Sequence, residues 1–156
     1  MQVSELMTHH VVTAYPETPV VDVAESMLQH NVSGVPIIDH DGHLVGIVTE
    51  ADLVVRNANV HFPTFLQILD ARIYLTSTRH FEDELRKALG TVAGDVMTRD
   101  VQTVRPNDDI SVAATLMADR GLNPIPVTEN RRLRGIISRS DIIRHILAQE
   151  ATGSSS

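Results

Sequence analysis

The chain has 156 residues, 42% of them hydrophobic, with 13 basic against 20 acidic side chains, a formal charge of -7 and no cysteine. That length folds as one or two small domains, and the lack of cysteine excludes disulfide scaffolds, zinc fingers, iron–sulfur clusters and thiol nucleophiles. The acidic balance argues against binding nucleic acid, whose affinity rests on Lys and Arg neutralising phosphates. Apolar runs are broken by charge well before a membrane helix is complete, and Met1-Gln2-Val3-Ser4-Glu5 lacks a basic region followed by an apolar one. The expectation is a cytoplasmic protein with no membrane partner and no nucleic-acid partner.

In chain order, Val-Val-Thr-Ala at 11–14 suits a short strand. Thr18 as N-cap and Pro19 at the first helical position predict a helix start. Val20, Val23, Ala24, Met27 and Leu28 then follow the spacing of one buried helical face, and Asn31 is suited to stop it in the left-handed conformation. Val35-Pro36-Ile37-Ile38 reads as a strand, Asp39 to His43 as a turn built on Asp41-Gly42, and Leu44 to Val48 as a second strand. A helix follows from Thr49-Glu50-Ala51-Asp52.

Residues 59–92 hold four of the five aromatic residues, Phe62, Phe65, Tyr74 and Phe81. Their spacing predicts two helices, one carrying Phe65, Leu66, Ile68, Leu69 and Ile73 and one carrying Phe81, Leu85 and Leu89, which act as a packing element.

The earlier pattern then returns. A shift of 90 places Met7-Thr8 on Met97-Thr98, Thr13 on Thr103, Pro16 on Pro106, Ala24 on Ala114, Met27 on Met117 and Pro36 on Pro126. With one residue removed from a turn, Gly46, Ile47 and Asp52 fall on Gly135, Ile136 and Asp141. The chain is two copies of one β-α-β-β-α unit, roughly 3–58 and 93–148, an α+β fold. Asp108 takes the place of Thr18, and Gly121 that of Asn31. The domain layout is a first repeat over 1–58, the helical insert over 59–92, a second repeat over 93–150 and a linker-like tail over 151–156.

Chemistry concentrates in two matched turns, Gly46-Ile47-Val48-Thr49-Glu50-Ala51-Asp52 and Gly135-Ile136-Ile137-Ser138-Arg139-Ser140-Asp141. As structure, each is a capping box, in which a Thr or Ser caps the helix and the Asp three residues on bonds back. As a ligand site, the same helix start offers unpaired N–H groups to a phosphate, and an ionised Asp accepts from both hydroxyls of a ribose. The glycine before the turn would let a flat base approach the backbone.

The opening Met-Thr pairs, the Val-Pro and Ile-Pro strand starts and the closing Gly-h-h-Thr/Ser-x-x-Asp, in that order and twice, resemble the CBS-domain family, as the tandem pair called a Bateman module. The resemblance implies two repeats packed about a pseudo-two-fold axis, modules that pair into homodimers, and regulatory rather than enzymatic work. It also implies clefts between the repeats that take an adenosine-containing ligand such as AMP, ADP or ATP as a regulatory molecule, with no catalytic cofactor and with an effector protein as partner. S-adenosylmethionine, NAD or a cyclic dinucleotide, or a ligand-free dimerisation scaffold, are the alternatives.

Residue by residue, the resemblance places Ile136, Ser138 and Asp141 with Thr18, Val23, Val32, Ser33 and Gly34, continuing into Val35 and Pro36, in a first cleft. Asp141 would meet ribose, Ser138 and Arg139 phosphate, and Val32 to Gly34 the adenine. A second cleft would join Ile47, Thr49 and Asp52 with Ala113, Leu122, Asn123 and Pro124. There Glu50 stands where the first has Arg139, and Pro124 removes a backbone N–H, so weaker binding of phosphorylated ligands is expected.

The remaining signals carry less. His40 and His43 around Asp41, and His9 beside His10, lack metal-site spacing, and no metal is expected. No nucleophile stands with a base and an orienter, so catalysis is not expected either.

Overall fold

A computed structural model describes residues 1–59 and 91–153, so the helices expected within 60–90 lie outside the described residues. The first copy contains α1 (Val3–Leu6), α2 (Val20–His30), β1 (Gly34–Ile38), β2 (Leu44–Thr49) and α3 (Glu50–Asn59). The second contains α4 (Ala93–Val96), α5 (Ile110–Arg120), β3 (Ile125–Glu129), β4 (Arg132–Ile137) and α6 (Arg139–Gly153). Each copy has one two-stranded sheet, β1-β2 or β3-β4. The second is antiparallel, with Ile125 opposite Ile137 and Glu129 opposite Arg132. Its two-residue turn holds Asn130 at φ 51° and Arg131 at φ 65°, the positive angles such a hairpin needs. In the first copy the turn glycine Gly42 takes φ 84°.

The strands expected at 11–14 and 101–104 reduce to single parallel bridges, Ala14 to Ile37 and Val104 to Val127. The helix starts also sit one residue later than the sequence suggests. Pro19 is the N-cap of α2, and the Thr18 hydroxyl instead accepts from Tyr15 N at 2.9 Å. In the second copy Asp108 does the same for Arg105 N at 2.8 Å, and Asp109 caps α5 through Ser111 N at 2.9 Å. Hydrogen bonds from Ser111, its hydroxyl first and then its amide, hold the Asp109 carboxyl below the usual carboxylate range. The helix ends fall as expected, with Asn31 at φ 51° and Gly121 at φ 66°. The last helix continues to Gly153, into the stretch whose composition reads as a tail, and the Thr152 hydroxyl bonds the carbonyls of Ala148 and Gln149 at 3.2 and 2.9 Å.

The described chain forms two compact units, and these do not follow the copies. One, the second-copy unit, gathers Met1–Val11, Gly42–Leu44 and residues 101–153; the first-copy unit gathers Val12–Asp41 and residues 45–59 and 91–100. Each copy's opening segment is therefore lodged with the other copy. Val3 packs with Val104, Ala113, Met117, Ile125, Val127 and Ile137. Ala93 and Met97 pack with Val23, Met27, Val35, Ile37 and Val48.

Matched hydrogen bonds hold the two segments. Val3 N donates to Asp108 O at 2.9 Å and Ser4 N to Pro106 O at 2.8 Å, while Ala93 N donates to Thr18 O and Gly94 N to Pro16 O, both at 2.8 Å. Neither α1 nor α4 is evident in the hydrophobic pattern, since each is a single turn. The legible trace is the acidic residue at its third position. Glu5 Oε2 accepts from Gln2 N at 2.6 Å, and Asp95 Oδ2 from Val92 N at 3.4 Å. Among the described residues no helix is long and apolar enough to cross a membrane.

Candidate ligand site

Both turns form at the junction of a buried strand end and a helix start, where the first helical N–H groups have no carbonyl partner within the helix. In the first-copy unit Thr49 N and Thr49 Oγ1 donate to Asp52 Oδ2 at 2.9 and 3.1 Å, and Asp52 N returns a bond to Thr49 Oγ1 at 3.3 Å. In the second-copy unit Ser138 N and Oγ donate to Asp141 Oδ2 at 2.8 and 2.9 Å, and Asp141 N bonds Ser138 Oγ at 3.4 Å. The capping-box geometry expected from sequence is thus present twice.

The other oxygen of each carboxylate differs. Asp52 Oδ1 accepts from the Thr98 hydroxyl at 3.0 Å, a bond across 46 residues of chain. Asp141 Oδ1 instead takes Arg144 Nη1 at 3.1 Å, from a guanidinium that is 74% exposed, while the Asp141 side chain itself is 12% exposed. The sequence pattern gives neither Thr98 nor Arg144 a place at the site. Thr98 sits in the repeated Met-Thr pair, and Arg144 is one helical turn past Asp141, so the signals were there without a partner to give them meaning.

The first helical amide is also claimed in each turn. Glu50 N donates to Ser33 O at 3.0 Å, and Arg139 N donates to Asn123 Oδ1 at 2.9 Å. Thr18, Val23, Val32, Ser33, Gly34, Val35, Pro36, Ile47, Thr49 and Asp52 all lie in the first-copy unit; Ala113, Leu122, Asn123, Pro124, Ile136, Ser138, Arg139 and Asp141 all lie in the second-copy unit. These two bonds join each closing turn to the loop before the first strand of its own copy.

The expectation that a base approaches over the glycines is corrected. A Cβ on Gly135 would lie 2.7 Å from Met7 Sδ and 2.9 Å from Thr8 O, and one on Gly46 would meet Met97 Sδ, with Met97 Cγ at 2.8 Å. The space above each glycine is filled by the methionine of the lodged Met-Thr pair. The following threonine bridges the strand on both sides: Thr8 N to Ile136 O at 2.8 Å and back at 3.0 Å, Thr98 N to Ile47 O at 2.9 Å and back at 3.0 Å. Elsewhere, His40 Nε2 lies 2.6 Å from Glu17 Oε1, and its ring stacks on Tyr15 at 4.8 Å between centroids.

A duplicated helix–hairpin–helix unit that ends each time in a capped Thr/Ser-x-x-Asp turn defines a tandem-repeat module of α+β class. The CBS domain model matches residues 3–58 and 93–148, most of the chain, which therefore belongs to the CBS-domain family. The chain is 30% identical over 155 residues to protein MJ1426 of Methanocaldococcus jannaschii, covering 94% of this chain and 92% of that one. It is 27% identical to CBSX2 crystallised in complex with AMP, with a TM-score of 0.71 over 96% of this chain and 98% of that one. The CBS domain pair of protein MJ0100, solved with 5′-methylthioadenosine and S-adenosyl-L-methionine, shares the fold at 22% identity and a TM-score of 0.69, covering 96% of this chain and 98% of that one.

Proposed function

We propose that the chain is a cytoplasmic regulatory module, not an enzyme, that binds an adenosine-containing nucleotide (AMP, ADP or ATP) at its Thr49–Asp52 and Ser138–Asp141 turns. The observation that carries this reading is the matched pair of partly buried aspartates at helix starts, each with an oxygen facing a second, exchangeable donor. The AMP complex of CBSX2, a relative aligned over nearly the whole chain, supports the ligand class. Asp141 takes ribose hydroxyls, and Ser138 and Arg139 take phosphate, which the positive end of α6 favours. Glu50 in the place of Arg139 makes the Asp52 turn the weaker site for phosphorylated ligands.

Thermal melting with AMP, ADP, ATP, S-adenosylmethionine, NAD and a cyclic dinucleotide tests this directly. A ligand at 100 times its Kd adds about 2.7 kcal/mol, which raises Tm by roughly 5–10 °C for a chain of this size. An adenine nucleotide is expected to do so in the wild type, to keep most of the effect in Asp52→Ala and to lose most of it in Asp141→Ala, where only the weaker Asp52 turn is left. No shift with any ligand overturns the reading, and equal losses in the two variants overturn the ranking of the turns.

Homodimerisation accompanies this reading. On α6, Ile143, Ile146 and Leu147 are 56%, 49% and 60% exposed at one-turn spacing, and Val54 of α3, at the place matching Ile143, is 60% exposed. An apolar stripe of that kind is suited to a partner surface. Sedimentation equilibrium is expected to give a two-chain mass that falls toward one chain in Leu147→Glu; a one-chain mass for the wild type overturns the pairing.

A further inference from the structure

The Asp52 carboxylate is already nearly full. A carboxylate has about four acceptor positions, and the Thr49 amide, the Thr49 hydroxyl and the Thr98 hydroxyl fill three of them. A single ligand hydroxyl fits the one that is left, but a vicinal diol needs two. Resting on the ligand reading above, we infer that Thr98 is a positioning residue that competes with a ribose for Asp52, so that binding both hydroxyls of a ribonucleoside there releases the Thr98 side chain.

Geometry identifies Thr98 as the donor that gives way. Both Thr49 bonds reach only three residues along the chain at the helix start and are held by the turn itself. Thr98 comes from the lodged segment, is exposed, and reaches Asp52 across 46 residues. Its backbone stays paired with Ile47 at 2.9 and 3.0 Å, so only the hydroxyl has to turn away. The copy-matched Thr8 makes the same pair of backbone bonds, with Ile136, at 2.8 and 3.0 Å. At Asp141, however, the third acceptor position is taken by Arg144, an exposed side chain on the same helix. A diol at Asp141 therefore frees a solvent-exposed guanidinium, while one at Asp52 frees a group on the Ala93–Thr98 segment. The two turns carry the same sequence motif but differ in what their occupancy disturbs.

The test uses the full chain carrying Asp141→Asn, which confines binding to the Asp52 turn, titrated calorimetrically with adenosine and with 2′-deoxyadenosine. Thr98→Val is expected to raise adenosine affinity about threefold to tenfold, the span of one net hydrogen bond, and to leave 2′-deoxyadenosine unchanged. Thr98→Ser, which keeps the hydroxyl, should behave as the parent, and Thr8→Val should change neither ligand. A purely structural role for Thr98 would lower Tm and move both nucleosides together, which overturns the inference while leaving the ligand reading intact. Loss of adenosine binding in Asp141→Asn, with the wild type still binding, also overturns it by removing Asp52 from the ligand sites. A wild type that binds neither nucleoside nor nucleotide overturns both.

Discussion

Alanine at Gly135 is expected to destabilise the chain by about 1–3 kcal/mol whether or not Met7 is present, whereas alanine at Gly46 should be largely rescued by trimming Met97. The two glycines are equivalent in sequence, yet their surroundings differ in one respect. At Gly46 the three nearest atoms all belong to the Met97 side chain, but at Gly135 one of them is the Thr8 carbonyl oxygen, 2.9 Å from the added Cβ. That oxygen accepts from Ile136 N at 3.0 Å, so moving it breaks a bridge of the second-copy unit. A methionine can turn aside, and a paired backbone carbonyl cannot without losing its partner. In a double-mutant cycle, Gly46→Ala with Met97→Ala should show a coupling of about 1–2 kcal/mol in urea unfolding, while Gly135→Ala with Met7→Ala should stay near additive. If these glycines instead held open space for a base, both alanines would weaken nucleotide binding and leave the unfolding midpoint unchanged. That outcome would restore the reading that the filled space above them contradicts.

Much of this arrangement is legible in the sequence. The repeat fixes the order of helices and strands, because Met27 with Met117, Pro36 with Pro126 and Asp52 with Asp141 can only match if both copies fold alike. The capping boxes were legible for the same reason, since their bonds span three residues and are decided locally. Partners distant in sequence were not. Val3 and Ala93 are matched positions at the head of matched copies, and nothing in either pattern says which copy's core receives which. The same holds for Gly46 and Gly135, where glycine marks a close approach but not the approaching group, and for Thr98 on Asp52. The one-residue shift at the helix starts has a local cause. Thr18 and Asp108 close the turns that begin at Tyr15 and Arg105, which spends their side chains before the helix begins.

The exchange of opening segments makes the sharpest physical claim, and removing residues 1–8 should expose it. Val3 is fully buried among Val104, Ala113, Met117, Ile125, Val127 and Ile137, a burial that contributes about 1.5–3 kcal/mol on its own. The deletion also takes away the partners of Asp108 O, Pro106 O and Ile136 O, together with the methionine that fills the space above Gly135. Taken together, the loss should exceed about 3 kcal/mol, a large part of what a small unit has to spare. Its location is the decisive part. Hydrogen exchange should speed up in β3, β4 and α5 of the second-copy unit, although the deleted residues belong to the first copy, while amides of β1 and α2 keep their protection. Loss of protection in β1 and α2 instead would return the opening segment to its own copy. A peptide of residues 1–11 added in trans should restore the slow exchange of β4, because the bridge between Thr8 and Ile136 needs no covalent link to form.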